Sequence, residues 1–302
     1  MAVITTGAHP KALWPGIHAF WGRSYDEHVE EFVDLFDKQT SDKAYEEDVE
    51  ITGFGLAPTK NEGTSIVYDT ETQGAVSRYT HIAYALGFIV TYEELRDDLY
   101  EVVSKRRAQA LAFSMRQTKE NICANVYNRA FLNSAPGGDG VSMINNTHPT
   151  VGGLQSNLLT TAADLSETAL EDMIIQIMQT VNSRGLKISN LPQSLHVPTQ
   201  LWYDANRIVK SVLQNDTSNN AINVIRATGA LPGGIKLNHY FNSATAWFIR
   251  TNIPRGLQYF EREAVSFDQD NDFNTKNALA ACYERYSVFW TDWRAIFGTP
   301  GV

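Results

Sequence analysis

The chain has 302 residues, 43% of them hydrophobic, and a formal net charge of −9 from 25 basic and 34 acidic side chains. That apolar share supports a substantial core and excludes global disorder. The acidic balance excludes a free protein that grips phosphate backbones through clustered Lys and Arg, though not a wall that faces DNA without holding it.

Residues 1–23 carry Trp14, Phe20 and Trp21 among Pro10, Pro15 and several glycines. This reads as an extended arm whose aromatics need a surface to land on. It lacks the charged and apolar regions of a secretory signal. Ser24 and Glu27 then form a capping box, and Val29, Phe32, Val33 and Phe36 recur at helical spacing, which predicts a short helix with an acidic outer face.

Residues 51–90 read as extended. The spacing predicts a short strand over 51–55 and a hairpin of 65–71 and 75–80 around Thr72-Gln73-Gly74. An isolated ribbon is marginal in water, so this hairpin is expected to lie on the rest of the chain or on another chain. The strand from Thr80 to Thr91 is more apolar and is expected to run into a core. Its apolar stretch, Ile82 to Val90, is too short to span a bilayer as a helix, which needs about 20 residues.

Thr91 and Glu94 make a second capping box, and no Pro or Gly follows until after Leu132. A helix of about 40 residues, roughly 60 Å long, is predicted, with room for a break between Ala108 and Met115. Strict heptads are absent, so it reads as a spine on which a sheet and other chains pack, not as a coiled coil. After a loop over 135–157 the pattern becomes mixed. An amphipathic helix is predicted over 167–183 with Gly185 as its stop, followed by a buried strand over 195–197 and a helix capped by Thr199. A polar loop spans 214–220, and strands are predicted over 235–237, 246–250, 257–262 and 278–290.

Chemistry-bearing motifs are missing. There is no phosphate loop, nucleophile elbow or H-E-x-x-H, and Pro58 occupies the third-glycine position after Gly53-Phe54-Gly55. The seven histidines show no metal-ligand spacing, and the Glu46-Glu47-Asp48 run reads as solvated charge. Cys123 and Cys282 are expected to be buried thiols. No catalytic residue, cofactor, metal or membrane contact is expected, and no internal repeat is visible.

The order of parts, together with a set of local patterns, resembles the major capsid proteins of tailed bacteriophages, the Hong Kong 97 type. The patterns are Asp139-Gly140 to His148-Pro149, Gly152-Gly153, Asn157, Leu165-Ser166 to Leu170, Leu195-His196-Val197-Pro198, Ala205-Asn206-Arg207-Ile208, Ala246-Trp247-Phe248 and Tyr286 to Arg294. The resemblance implies an α+β fold with an N-arm and short helix (1–50), an extended loop hairpin (51–85) and a peripheral domain with the spine helix (86–160). A mixed α/β axial domain (161–254) and return strands (255–302) complete it. It implies a virion shell of hexamers and pentamers, assembled in the host bacterial cytoplasm, that encloses double-stranded DNA. Its partners would be a separate scaffolding protein, a portal and a decoration protein. The family's long cleavable N-terminal segment has no counterpart here, so no trimming is expected. Lys60 lacks a recognisable crosslinking partner, so no covalent crosslink is expected. The inter-subunit contacts implied are Trp14, Phe20, Trp21, Ile66, Tyr68, Val76 and Tyr79, with Asn215, Asp216 and Asn219 near the capsomer axis. The alternatives are an encapsulin-type compartment of the same fold and, from another class, a soluble cytoplasmic hydrolase.

Overall fold

The computed structural model describes residues 21–93, 100–214 and 221–302, with backbone alone for 100–105. Trp14, Phe20, Asn215, Asp216 and Asn219 lie outside the described residues. In place of one helix starting at Ser24, the chain forms α1 (21–26) and the single-turn α2 (Phe32–Leu35). Tertiary contacts make the break. The Glu120 carboxylate accepts hydrogen bonds from the Glu31 and Phe32 N–H groups, both at 3.0 Å, and so starts a new helix there. Arg116 donates to the Tyr25 carbonyl at 3.2 Å and pairs with Glu30. Phe32 and Phe36 are buried as the spacing predicts, while Val29 stays exposed.

Strands β1 (Asp37–Thr40), β2 (Tyr45–Ile51), β3 (Gln73–Thr80) and β4 (Ile82–Val90) follow, then α3 (Tyr100–Asn128). At 1.5 Å per residue α3 is roughly 44 Å long. It runs unbroken through Ala108 to Met115, because Ala108, Leu111, Ala112 and Met115 pack on Val90, Phe267, Ala280 and Cys282 together with Trp21 and Tyr25. The sheet beneath it has the order β1-β10-β11-β4, where β10 (Leu257–Asn271) and β11 (Ala278–Trp290) form a long antiparallel hairpin. The strand expected over 257–262 thus continues to Asn271. Its polar outer half is held by backbone pairing with β11 and anchored by Phe267 and Val265 on the apolar cluster.

A second sheet has the order β12-β9-β7-β8, with β7 (Pro192–Val197), β8 (Gly234–Leu237), β9 (Trp247–Thr251) and β12 (Ile296–Thr299). Helices α4 (Glu167–Met178), α5 (Trp202–Lys210) and α6 (Val224–Thr228) cover it. Leu170, Met173, Ile177, Ala205, Ile208 and Ile225 meet Leu195, Val197, Trp247, Ile249 and Phe297 in one core. Tyr127 of α3 belongs to the same core, as do Tyr259, Tyr286 and Trp290 of the first sheet, so apolar packing is continuous between the two sheets. Ser166 caps α4 by accepting from the Ala169 N–H at 3.2 Å. The helix stops at Met178, short of Ser183, because the Asn182 side chain accepts from the Arg184 and Leu186 N–H groups at 2.9 Å each and folds a turn instead. Thr199 does not cap α5 with its side chain; a 3₁₀ turn over Thr199–Leu201 leads into it.

The loop over 135–157, which contains the short ribbon β5 (His148–Thr150) and β6 (Gly153–Gln155), is tied down by polar contacts. Asn157 is buried; it donates to the Met143, Trp293 and Ile296 carbonyls at 2.8, 3.2 and 3.0 Å and accepts from the Asn145 N–H at 2.8 Å. His148 lies 2.6 Å from Asp139 and stacks on Trp293. Cys123 and Cys282 are both free and buried.

Candidate assembly surface

The hairpin differs from the predicted one in register. Tyr45–Ile51 pairs with Gln73–Thr80, and 65–71 forms no strand. The acidic run read as solvated charge becomes β2 because each carboxylate finds a partner. Glu46 binds Lys43 at 2.9 Å and Ser41 at 2.8 Å, contacts that hold its carboxyl below the ordinary range. Asp48 accepts from Gln258 at 3.0 Å, and Glu47 lies 3.8 Å from Arg78. Glu50 reaches Ser183 and lies 3.6 Å from Arg294.

Arg294 fastens the loop end of this hairpin, beside Glu50, to the body. Its guanidinium is buried; it donates to the Val181 carbonyl at 3.0 Å, Asp292 at 3.2 Å, Ser183 at 3.3 Å and Gln155 at 3.4 Å, and it stacks over Trp293. A second clasp holds the long excursion 52–72 between the two strands. Arg184 lies 3.2 Å from Asp69 and also donates to the Thr70 carbonyl. Asp69 in turn accepts from the Gly55 N–H at 2.7 Å and the Thr70 N–H at 2.8 Å. Those two N–H groups, with Arg184 beside them, hold its carboxyl below the usual carboxylate range.

Ile66, Val67 and Tyr68 on this excursion are 62%, 70% and 88% exposed, and Phe54 and Leu56 are exposed as well. Val76 is partly exposed on β3. Two residues expected at inter-subunit contacts are instead buried inside their own subunit. Tyr79 bonds Thr291 and packs edge-on against Phe260 and Phe289. Trp21 stacks between Tyr25 and Phe267 at 5.2 and 5.3 Å. Both side chains satisfy their apolar area within the chain, a pairing across long sequence separations that spacing does not encode.

The apolar strand expected to run into a core does so through Tyr84, Phe88 and Val90, and among the described residues it is also the edge of its sheet. Among the described residues β4 pairs only with β11, and Ile82, Leu86 and Ile89 are 55%, 47% and 62% exposed. Beside its start lies an open trough of about 330 Å³ lined by Tyr84, Ile122, Val126, Val288, Phe289 and Trp290. Arg184, Arg294 and the β4 edge were not singled out in the sequence. The first two look like ordinary basic residues there. The third carried a signal, an uncharged run without proline, that reads equally well as a core strand. Among the described residues no three His, Cys, Asp or Glu side chains cluster as a metal-ion site, and no helix is long and apolar enough to cross a membrane.

A family model described as "phage capsid protein" matches residues 74–298. The chain belongs to the phage capsid protein family. As a member of this family it is a structural shell subunit and not an enzyme. Solved capsid structures share the fold at low sequence identity. The virus-like particle from Pyrococcus furiosus aligns with a TM-score of 0.53 and 12% identity over 95% of this chain and 99% of its own. The capsid of the cyanophage P-SCSP1u gives a TM-score of 0.56 and 10% identity over 89% and 87%. The capsid of a native GTA particle gives 0.54 and 13% over 88% of each chain. Comparison with curated protein sequences yields no match. As a capsid protein of Hong Kong 97-like α+β fold, the chain presents an exposed excursion and a sheet edge among its exposed apolar surfaces in the described residues.

Proposed function

We propose that this capsid protein closes into an icosahedral shell of hexamers and pentamers around double-stranded DNA. In this reading 51–85 is the extended loop that reaches a neighbour. Residues 86–160 with the return strands 255–302 are peripheral, 161–254 form the axial domain, and 1–50 supply an arm and short helix. The observation that carries it is the excursion 52–72, whose Ile66, Val67 and Tyr68 stand in solvent with no core of their own. Exposed apolar clusters of this kind mark surfaces that another chain covers. Ile66, Tyr68 and Val76 are the described contact residues in this proposal, with Trp14, Phe20, Asn215, Asp216 and Asn219 alongside them. A scaffolding protein, a portal and a decoration protein are the partners, and assembly takes place in the host cytoplasm. The acidic balance of the chain suits an inner wall along which DNA moves without sticking.

A second reading is an encapsulin-type compartment of the same fold, which differs in its contents. Purified particles treated with nuclease separate the two. Protected double-stranded DNA is the expected content of a phage shell, whereas a protein cargo without DNA would support the compartment.

A further inference from the structure

Asp139, His148 and Asn157 meet in one network, with His148 and Asn157 fully buried. The His148 ring has Asp139 Oδ2 at 2.6 Å from Nδ1 and Asn157 Oδ1 at 3.1 Å from Nε2. Which ring nitrogens carry protons follows from what those two oxygens are.

The Asn157 amide fits only one way round. Its nitrogen faces the Met143, Trp293 and Ile296 carbonyls, and its oxygen faces the Asn145 N–H. Turning it over would set an oxygen against three carbonyls and one donor against another. Asn157 Oδ1 is therefore an acceptor, and His148 Nε2 donates to it. On the other side of the ring stands a carboxyl group whose Oδ1 accepts from the Val141 N–H at 3.3 Å. A neutral imidazole has one N–H and one lone pair. Either neutral tautomer would leave that lone pair against an oxygen in a site closed to water. Aspartic acid is a stronger acid than imidazolium, so the proton between Oδ2 and Nδ1 belongs on the ring.

The surroundings suit a cation. The ring stacks on Trp293, with centroids 4.5 Å apart and planes 10° from parallel, and an aromatic face attracts positive charge. The adjoining cavity of about 120 Å³ is lined by the carboxylates of Asp48, Glu50, Asp139 and Asp292, against the single guanidinium of Arg294.

We infer that His148 is a buried imidazolium paired with Asp139, so that a proton acts as a structural ligand of the joint between the two sheets. Trp290 ends β11, Trp293 lies on the crossing from β11 to β12, and His148 packs against both rings. Asn157 holds the Trp293 and Ile296 carbonyls of the same crossing. Loss of the proton sets a lone pair against one of the two acceptors and loosens the joint. The inference stands apart from the shell reading.

Histidine-selective nitrogen-15 solid-state NMR of the full-length protein at about pH 7.5, where a free imidazole is mostly neutral, tests the proton. One histidine should show both ring nitrogens protonated. That signature should vanish in Asp139→Asn, whose amide can donate to Nδ1 of a neutral ring. A wild-type spectrum in which every histidine has an unprotonated nitrogen overturns the inference, as does a doubly protonated ring that survives in Asp139→Asn. If Asp139→Asn does not fold, loss of the signature in His148→Gln decides in its place. Amide hydrogen exchange reads the joint itself through the Asn145 and Gly298 N–H groups, which bond Asn157 Oδ1 and the Asn157 carbonyl. As the pH is raised they should come to exchange several-fold faster in the wild type than in Asp139→Asn at the same pH. A ratio that stays constant wherever both proteins remain folded would overturn the proton-dependent joint.

Discussion

The Lys119 ammonium of α3 lies 2.6 Å from the Glu284 carboxylate of β11, and both side chains are buried. Tyr25 completes the group, accepting from Lys119 through its hydroxyl at 2.9 Å. Burial opposes the charge on Lys119, but Glu284 and Tyr25 outweigh it and hold the ammonium's proton more tightly than usual. This pair bolts the spine helix to the sheet between the two apolar clusters. Lys119→Met strands a buried carboxylate and should destabilise the subunit by about 3–5 kcal/mol. The double variant Lys119→Met/Glu284→Leu should recover most of that loss in denaturant unfolding. Equal losses in the single and double variants would show that the pair does not carry the joint.

Glu120 sits one position along the same helix, and burial pushes its carboxyl up to about 7, against the two backbone N–H bonds that favour its charge. A folded-state pKa above the unfolded value means that the native state binds the extra proton. The stabilisation from Glu120 is complete below about pH 4.5 and is lost as pH rises through about 7. One such proton gives a slope of at most about 1.4 kcal/mol per pH unit. Unfolding measured from pH 5 to pH 7.5 should therefore show falling stability in the wild type and a flatter profile in Glu120→Gln. A wild-type profile that is flat or rises in step with the variant would contradict this.

Arg184→Ala removes the clasp on Asp69 and Thr70. Because that ion pair is exposed, global stability should hardly change. The excursion 52–72 should instead become several-fold more sensitive to limited proteolysis in the free subunit. Unchanged cleavage would mean that Arg184 does not hold the loop.

Arg294→Lys keeps the positive charge but loses the planar fork that serves Val181, Asp292, Ser183 and Gln155 together. Each acceptor left unsatisfied in this buried place costs about 1–3 kcal/mol, so thermal unfolding should shift down by several degrees. A melting temperature equal to that of the wild type would show that charge alone secures the loop end of the hairpin.

What the sequence revealed follows from where the determinants sit. Glu167–Met178, Pro192–Val197 and Ala278–Trp290 are legible because their own apolar spacing marks the faces that pack on the apolar clusters, and Ser166 caps the helix locally. The β2 strand is not, since Glu46, Glu47, Asp48 and Glu50 are stabilised by Lys43, Arg78, Gln258 and Arg294, most of them distant in sequence. The division of the first helix at Glu31 depends on Glu120, nearly ninety positions on. In the assembly surface, Ile66 and Tyr68 are found exposed, whereas Tyr79 and Trp21, equally aromatic in the sequence, are consumed by internal partners. The edge character of β4 could not be read because apolar runs look alike whether a strand has one neighbour or two.

As a capsid subunit, this 33.7 kDa chain is expected to complete its structure in a many-copy shell. Sedimentation velocity of the purified full-length protein, with negative-stain images of the same sample, tests it most directly. Closed particles of uniform size, far heavier than the single chain, are the expected result. A homogeneous monomer at every concentration, with no particles in the images, would contradict it.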